Sequence, residues 1–358
     1  MLDSLHRRPR GGAWAVALSA LTRGRVPAPP PPPPPDLDAV RRETILRSLR
    51  ANAAPRYEER AREPSLDLLA RLAPGDAELV RQRLDDETRA EWDAAPPWTR
   101  DHLQLIFAVH HRVEPVVRRT GLSTATPPDD VHAMARGPLA AGGDFWIADL
   151  VATAALEAGA ALGDGARVLD FGCSSGRHLR VLQAWRPAVR WMGCDPNEGA
   201  VRWAAGHLDG IEFFASPLQP PLDLAADSLD AVFAVSVWSH FGTGAAERWL
   251  AEMARLVRPG GALVLTVQGL GSLAHYLQRG RIDEDAAARA AEELLARGHA
   301  WMEAFGPQGD WGVKDPEWGM AYMTLEWLAE RTLGEWTLER FDPRRIHDNQ
   351  DLVVLRRR

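Results

Sequence analysis

Cysteine is scarce in this chain. Cys173 and Cys194 are the only two in 358 residues, too few for a disulfide framework, and they lack metal-ligand spacing. A reducing, cytoplasmic setting is therefore expected. Lysine is scarcer still: Lys314 stands against 41 arginines, which reads as genome composition. Long apolar runs are missing. The stretch at residues 13–21 is too short to span a bilayer, so no membrane span is expected. The Arg7-Arg8 leader superficially resembles an export signal, but its apolar part is weak and a proline run follows. An excess of positive charge is also missing. A formal net charge of -7 gives no general attraction to nucleic acid. What remains, 46% hydrophobic and 25% charged, is the composition of a soluble globular protein.

Residues 1–35 read as a basic tail ending in the proline run 29–35, a stiff polyproline spacer. Residues 36–121 read as a helical N-terminal region, which offers a surface to a protein partner. Within it a helix from Thr99 places Leu103, Ile106, Phe107 and His110 at helical spacing on one face. His102, His110 and His111 have no carboxylate at ligand spacing on that face, so no metal is expected. Residues 122–143 are a Thr-, Pro-, Ala- and Gly-rich connection, and a helix resumes at 145–158. From residue 165 the periodicity changes. Strands are expected at 167–170, 189–194, 211–215, 231–237 and 262–268, with helices at 176–185, 198–207 and 244–257 between them. Such alternation means right-handed crossovers and a mostly parallel sheet. Residues 269–358 break the rhythm: an Ala-rich helix at 283–297, a Trp-rich stretch, a helix at 325–331 and two closing strands at 336–341 and 352–355. The expected class is α/β, a Rossmann-like doubly wound sheet, mostly parallel with an antiparallel edge strand, plus the helical N-terminal region. Residues 122–358 form its main domain, with its core at 165–268.

The stretch VLDFGCSSGRHL, residues 168–179, joins the first strand to a helix through a small-residue turn. A phosphate-binding loop needs Gly-Lys-Ser/Thr four residues after its first glycine, which is absent. A dinucleotide fingerprint needs Gly-x-Gly-x-x-Gly, and Ser174 and Arg177 occupy two of its three glycine positions. An NAD-dependent enzyme is disfavoured for that reason. Asp170, Gly172 and Gly176 instead give Asp-x-Gly-x-x-x-Gly. This resembles the first motif of class I S-adenosylmethionine-dependent methyltransferases, with Ser174 where the family usually has a further glycine. Three more segments agree in order: WMGCDPN, where the second strand ends in Asp195, 25 residues after Asp170; SPLQPPLDLAADSLDAVFAVSVWSHF; and EMARLVRPGGALVLTV.

The resemblance implies S-adenosylmethionine as cofactor and assigns roles by position. Asp170, Gly172, Cys173, Ser174 and Gly176 would form the turn at its methionine end. Asp195 would accept from the ribose diol, with Pro196 beside the adenine and Ser216 at the adenine edge. Val235 and Ser236 would lie near the sulfonium. His240, just past the fourth strand, is the candidate general base, because an imidazole titrates near neutral pH. Trp301, Trp311, Trp318, Tyr322 and Trp327 fall where the family often covers its acceptor, and Gln268, His347 and Gln350 are candidates for the same mouth. The expected function is methyl transfer to a small-molecule or glycan acceptor, on oxygen. The alternative is a catalytically silent cofactor-binding scaffold acting through its helical N-terminal region.

Overall fold

The computed structural model describes residues 36–57, 60–128, 131, 145–310 and 314–358. The tail and proline run, most of the 122–143 connection, and Trp311 lie outside the described residues. By contact the chain divides into Met1–Glu43 and Thr44–Arg358. Helix α1 is Leu37–Ala51. The second unit holds every other element. First come helices α2 (Ser65–Leu69), α3 (Asp76–Arg81), α4 (Asp86–Ala94), α5 (Pro97–His110), α6 (Glu114–Thr120) and α7 (Phe145–Glu157). The alternating part follows: β1 (Arg167–Phe171), α8 (Leu179–Trp185), β2 (Arg190–Asp195), α9 (Glu198–His207), β3 (Ile211–Ala215), β4 (Leu229–Ala234), α10 (Thr243–Leu256) and β5 (Val257–Val267). Last come α11 (Leu270–Gln278), α12 (Glu284–Arg297), β6 (His299–Met302), β7 (Met320–Met323), α13 (Leu325–Thr332), β8 (Trp336–Ile346) and β9 (Gln350–Arg357).

Seven strands form one sheet in the order β3-β2-β1-β4-β5-β9-β8. The first five are parallel, and β9 runs antiparallel between β5 and β8. The expected doubly wound sheet with its antiparallel closing pair is therefore present. The closing strands are longer than the sequence pattern suggests, and only residues 347–349 separate them.

Side-chain alternation explains the two-sided core. Val168, Ala231, Phe233, Val264 and Val354 point to one face and pack with α7 and α8. Leu169, Phe171, Met192, Val232, Leu263 and Val353 point to the other and pack with α10 and α13. Period-2 strands buried on both faces read as continuous apolar runs, which is the pattern of a helix-covered parallel sheet. Each large side chain buried this way contributes roughly 1.5–3 kcal/mol. The two-stranded sheet of β6 and β7 and helix α11 were not expected from the sequence. They share a smaller core with α12, through Leu273, Ala290, Leu294, Ala300 and Tyr322.

Helix α5 corrects one expectation. Leu105, Ile106 and Val109 enter the core of the sheet, Phe107 and Ala108 enter a second core with Val80, Trp92 and Val116, and His110 is exposed. The helix lies between two apolar layers, so no single stripe describes it. His102 faces a carboxylate from a different helix: its Nε2 is 2.8 Å from Asp149 Oδ2. Asp149 is 2% exposed and also accepts from Arg62 N at 2.9 Å and Ser65 N at 2.8 Å. Asp149→Ala would leave a buried amide, a half-buried amide and an imidazole without their acceptor. Loss of about 3 kcal/mol is expected, read as a lower urea midpoint at unchanged slope.

Among the described residues no helix is long and apolar enough to cross a membrane.

Candidate active site

The strand order reverses between β1 and β4, and ligands of open α/β sheets bind at the carboxyl ends of strands flanking such a point. A cavity of about 300 Å³ opens there. Residues just past each of the first four strands line it: Gly172 and Ser174 after β1, Asp195 to Asn197 at the end of β2, Ser216 to Leu218 after β3, and Val235, Ser236, Val237, His240 and Phe241 after β4. Trp249 of α10 and Phe305, Asp310, Asp315 and Trp318 from the segment between β6 and β7 complete the lining.

The turn after β1 explains its residue types. Gly172 has φ +82°, and a Cβ on it would stand 2.5 Å from Val237 Cγ2. Gly172→Ala therefore strains the backbone and displaces a wall of the cavity. Stability should fall by about 1–3 kcal/mol, visible in thermal unfolding, together with weaker cofactor-product binding. Ser174 has φ +49°, so serine adopts a left-handed conformation that a glycine takes freely, at a cost of about 1 kcal/mol. Ser236 at the end of β4 has φ +60°. Two strained non-glycine residues thus face one cavity, a distribution typical of functional sites.

Asp195 is held from both sides. Its Oδ2 accepts from Ser174 N at 2.9 Å and its Oδ1 from Asn197 N at 2.8 Å. An ionised carboxylate has roughly four acceptor positions, so two remain for a diol. Burial pushes its pKa up, against the pull of the Asn197 and Ser174 amides. Ser236 N donates to Thr266 Oγ1 at 2.7 Å, and Gln350 Nε2 donates to Ser236 Oγ at 2.9 Å. This network fixes the carboxyl end of β4 against β5 and β9.

His240 is fixed by the small sheet. Its Nδ1 lies 2.7 Å from Gly319 O. A carbonyl only accepts, so Nδ1 carries the proton and Nε2 keeps its lone pair. The His240 carbonyl accepts from Gly319 N at 2.9 Å and Trp301 Nε1 at 3.2 Å. Trp318 stacks on the imidazole, with ring centroids 4.6 Å apart. Burial lowers the His240 pKa, outweighing the opposing effects of Gly319 and Asp310, so the ring is neutral at pH 7.

Of the residues singled out from the sequence, the cavity gathers Gly172, Ser174, Asp195, Pro196, Ser216, Val235, Ser236, His240 and Trp318. Asp170, Cys173 and Gly176 stand behind it. Asp170 is 2% exposed, and its Oδ2 lies 3.7 Å from His178 Nδ1. The Cys173 thiol is buried, which pushes its pKa well up, as befits a packing residue rather than a reactive thiol. Gly176, with φ +76°, packs so closely that a Cβ would meet Leu208 and Phe213. Tyr322 is buried in the small core shared with α11 and α12, and Trp327 in the core on one face of the main sheet. Gln268 donates to Tyr276 Oη at 2.8 Å, and His347 packs on Trp146, both away from the cavity lining. Sequence reasoning missed Phe305, Asp310 and Asp315, which arrive from a segment without periodic pattern.

Among the described residues, Ser174 Oγ and Trp249 Nε1 of the lining are buried polar atoms without a hydrogen-bond partner, and Asp170 Oδ2 behind the turn is another. Buried polar groups are nearly always paired, so these orphans fit a polar ligand. A turn too tight for Cβ and a carboxylate with spare acceptor capacity fit an adenosine-bearing one such as S-adenosylmethionine.

A comparison with known protein families bears on the same segment. The family model described as a methyltransferase domain matches residues 168–261. The malonyl-(acyl-carrier protein) O-methyltransferase of Methylococcus capsulatus is 30% identical over 112 residues, 30% of this chain and 40% of that protein. The enzyme of the same name from Hahella chejuensis is 31% identical over 98 residues, 27% of this chain and 34% of that protein. The chain thus spans well under half the length of either. A solved SAM-dependent methyltransferase from Methanosarcina mazei is 17% identical, with a TM-score of 0.40 over 55% of this chain and 94% of that one. Within its alternating region, the chain carries a methyltransferase domain.

Proposed function

We propose that the protein transfers a methyl group from S-adenosylmethionine to an oxygen of a small-molecule or glycan acceptor, with His240 as general base. The observation that carries this reading is one cavity holding both a ribose-competent carboxylate, Asp195, and a neutral imidazole with its Nε2 lone pair kept. The cofactor supplies an activated methyl on a sulfonium. The chain's residues supply position. Gly172 lets backbone approach the ligand, Asp195 accepts from the ribose hydroxyls, and Val235 and Val237 form an apolar wall that limits water. His240 Nε2 takes the proton of the attacking hydroxyl, while Gly319 O holds the Nδ1 proton and stabilises the imidazolium that forms. The names of the two curated relatives specify an oxygen acceptor, which supports oxygen here. A cytoplasmic setting fits the two free thiols.

Calorimetric titration with S-adenosylhomocysteine, with NADH as control, tests the cofactor half of this reading. Micromolar binding of the former alone is expected. Binding of NADH alone, or of neither, would overturn it.

A further inference from the structure

We propose that the acceptor carries a protonated amine. This rests on the methyl-transfer reading of the cavity and names the acceptor class. The wall around His240 is aromatic and acidic. Trp318 stacks on the imidazole, the Phe305 ring centroid lies 5.6 Å from it, and Asp310 and Asp315 line the same cavity. Asp310 Oδ2 accepts from Trp318 Nε1 at 3.0 Å, which couples one carboxylate to the flat ring. Asp315 Oδ1 accepts from Glu317 N at 2.7 Å and its Oδ2 from Gln219 Nε2 at 3.0 Å. All three donors are uncharged, so they orient the carboxylates without cancelling their charge. Arg248 reaches Gln219 and pairs with Glu317. Among the described residues neither Asp310 nor Asp315 forms an ion pair, and no Arg or Lys lines the cavity.

An ammonium gains twice in such a place. The faces of Trp318 and Phe305 attract a cation, and the carboxylates attract it in a partly dehydrated setting. A carboxylate-bearing acceptor meets the opposite: three acidic groups, counting Asp195, and no described cation to pair with. Specificity then comes from repulsion as well as attraction. A neutral acceptor receives neither effect.

The test uses three probes with one phenol ring in common: tyramine, N-acetyltyramine and 3-(4-hydroxyphenyl)propionate. Each is titrated calorimetrically into the full chain saturated with S-adenosylhomocysteine. Tyramine should bind at least tenfold more tightly than its acetylated form, and the propionate more weakly still. Asp310→Asn should remove most of that preference while S-adenosylhomocysteine affinity stays within about twofold of the parent's. Equal or tighter binding of the propionate overturns the proposal, as does failure of all three probes to bind. So does an Asp310→Asn variant that loses S-adenosylhomocysteine affinity in step with tyramine, because the carboxylate would then serve the cofactor. A parent chain that fails to bind S-adenosylhomocysteine is a separate failure, seen before any probe is added, and it removes the methyl-transfer reading itself.

Discussion

Asp195→Ala will bind S-adenosylhomocysteine roughly 100- to 10,000-fold more weakly than the parent chain. The magnitude follows from the geometry. The carboxylate holds two backbone amides, from Ser174 and Asn197, and has two acceptor positions left for the ribose diol. Hydrogen bonds to a charged group contribute about 1.5–3 kcal/mol each, and 1.4 kcal/mol is tenfold in affinity. Removing the carboxylate loses both ribose bonds and releases the Ser174 amide that shapes the turn. Asp195→Asn will lose less, because one acceptor oxygen survives, although its amide group must face one of the two N–H donors. The parent chain's affinity will also depend on pH. Burial raises the Asp195 pKa, so the acceptor is protonated at a higher pH than an ordinary aspartate, and binding weakens earlier as pH falls. Calorimetry across pH 4–8 checks both effects. An Asp195→Ala variant that keeps its affinity would remove the ribose role from this residue.

The parts of this site that a sequence reader finds are those set by local geometry. Gly172 and Ser216 each follow a strand and Asp195 ends one, and a parallel sheet brings strand ends together by construction. Once the strands are located, the cavity's floor follows. Ser174 is a subtler case. Composition makes it a departure from a glycine motif, yet it takes the glycine-like backbone all the same. The motif therefore records a conformation, and a small side chain tolerates the strain. Asp170 and Gly176 belong to the same motif but stand behind the cavity, one buried beside His178 and the other packed on Phe213. Local spacing does not separate a turn's ligand-facing residues from its supports.

The roof is different. Phe305, Asp310 and Asp315 lie between two four-residue strands, too short to show alternation, and they reach the cavity because β6 and β7 pair across 17 intervening residues. The partner of His102 was hidden for a related reason. A search along one helix finds no carboxylate, whereas Asp149 comes from another helix 47 positions on. Non-local pairing decides both cases, and no short window of sequence contains it.

Replacing His240 should separate chemistry from binding. His240→Gln will lower kcat by about 10²- to 10⁴-fold, the usual span for a lost general base, with S-adenosylhomocysteine affinity changed little. The glutamine keeps a planar polar group and can still donate to Gly319 O, so the loop is retained while the basic nitrogen is lost. The pH profile gives an independent readout. The base must be neutral, and burial lowers its pKa below the ordinary 6.5. Activity of the parent chain should therefore be level through neutrality and fall only on the acid side of pH 6.5, as the imidazole takes up a proton. The variant should lose that acid limb as well as its rate. A structural role for His240 makes a contrasting forecast: thermal stability and cofactor affinity would fall together, and the residual activity would keep the parent's pH dependence. The imidazole is well placed for the first outcome, because Gly319 O fixes its tautomer and Trp318 fixes its plane. Only Nε2 is then left to meet a hydroxyl.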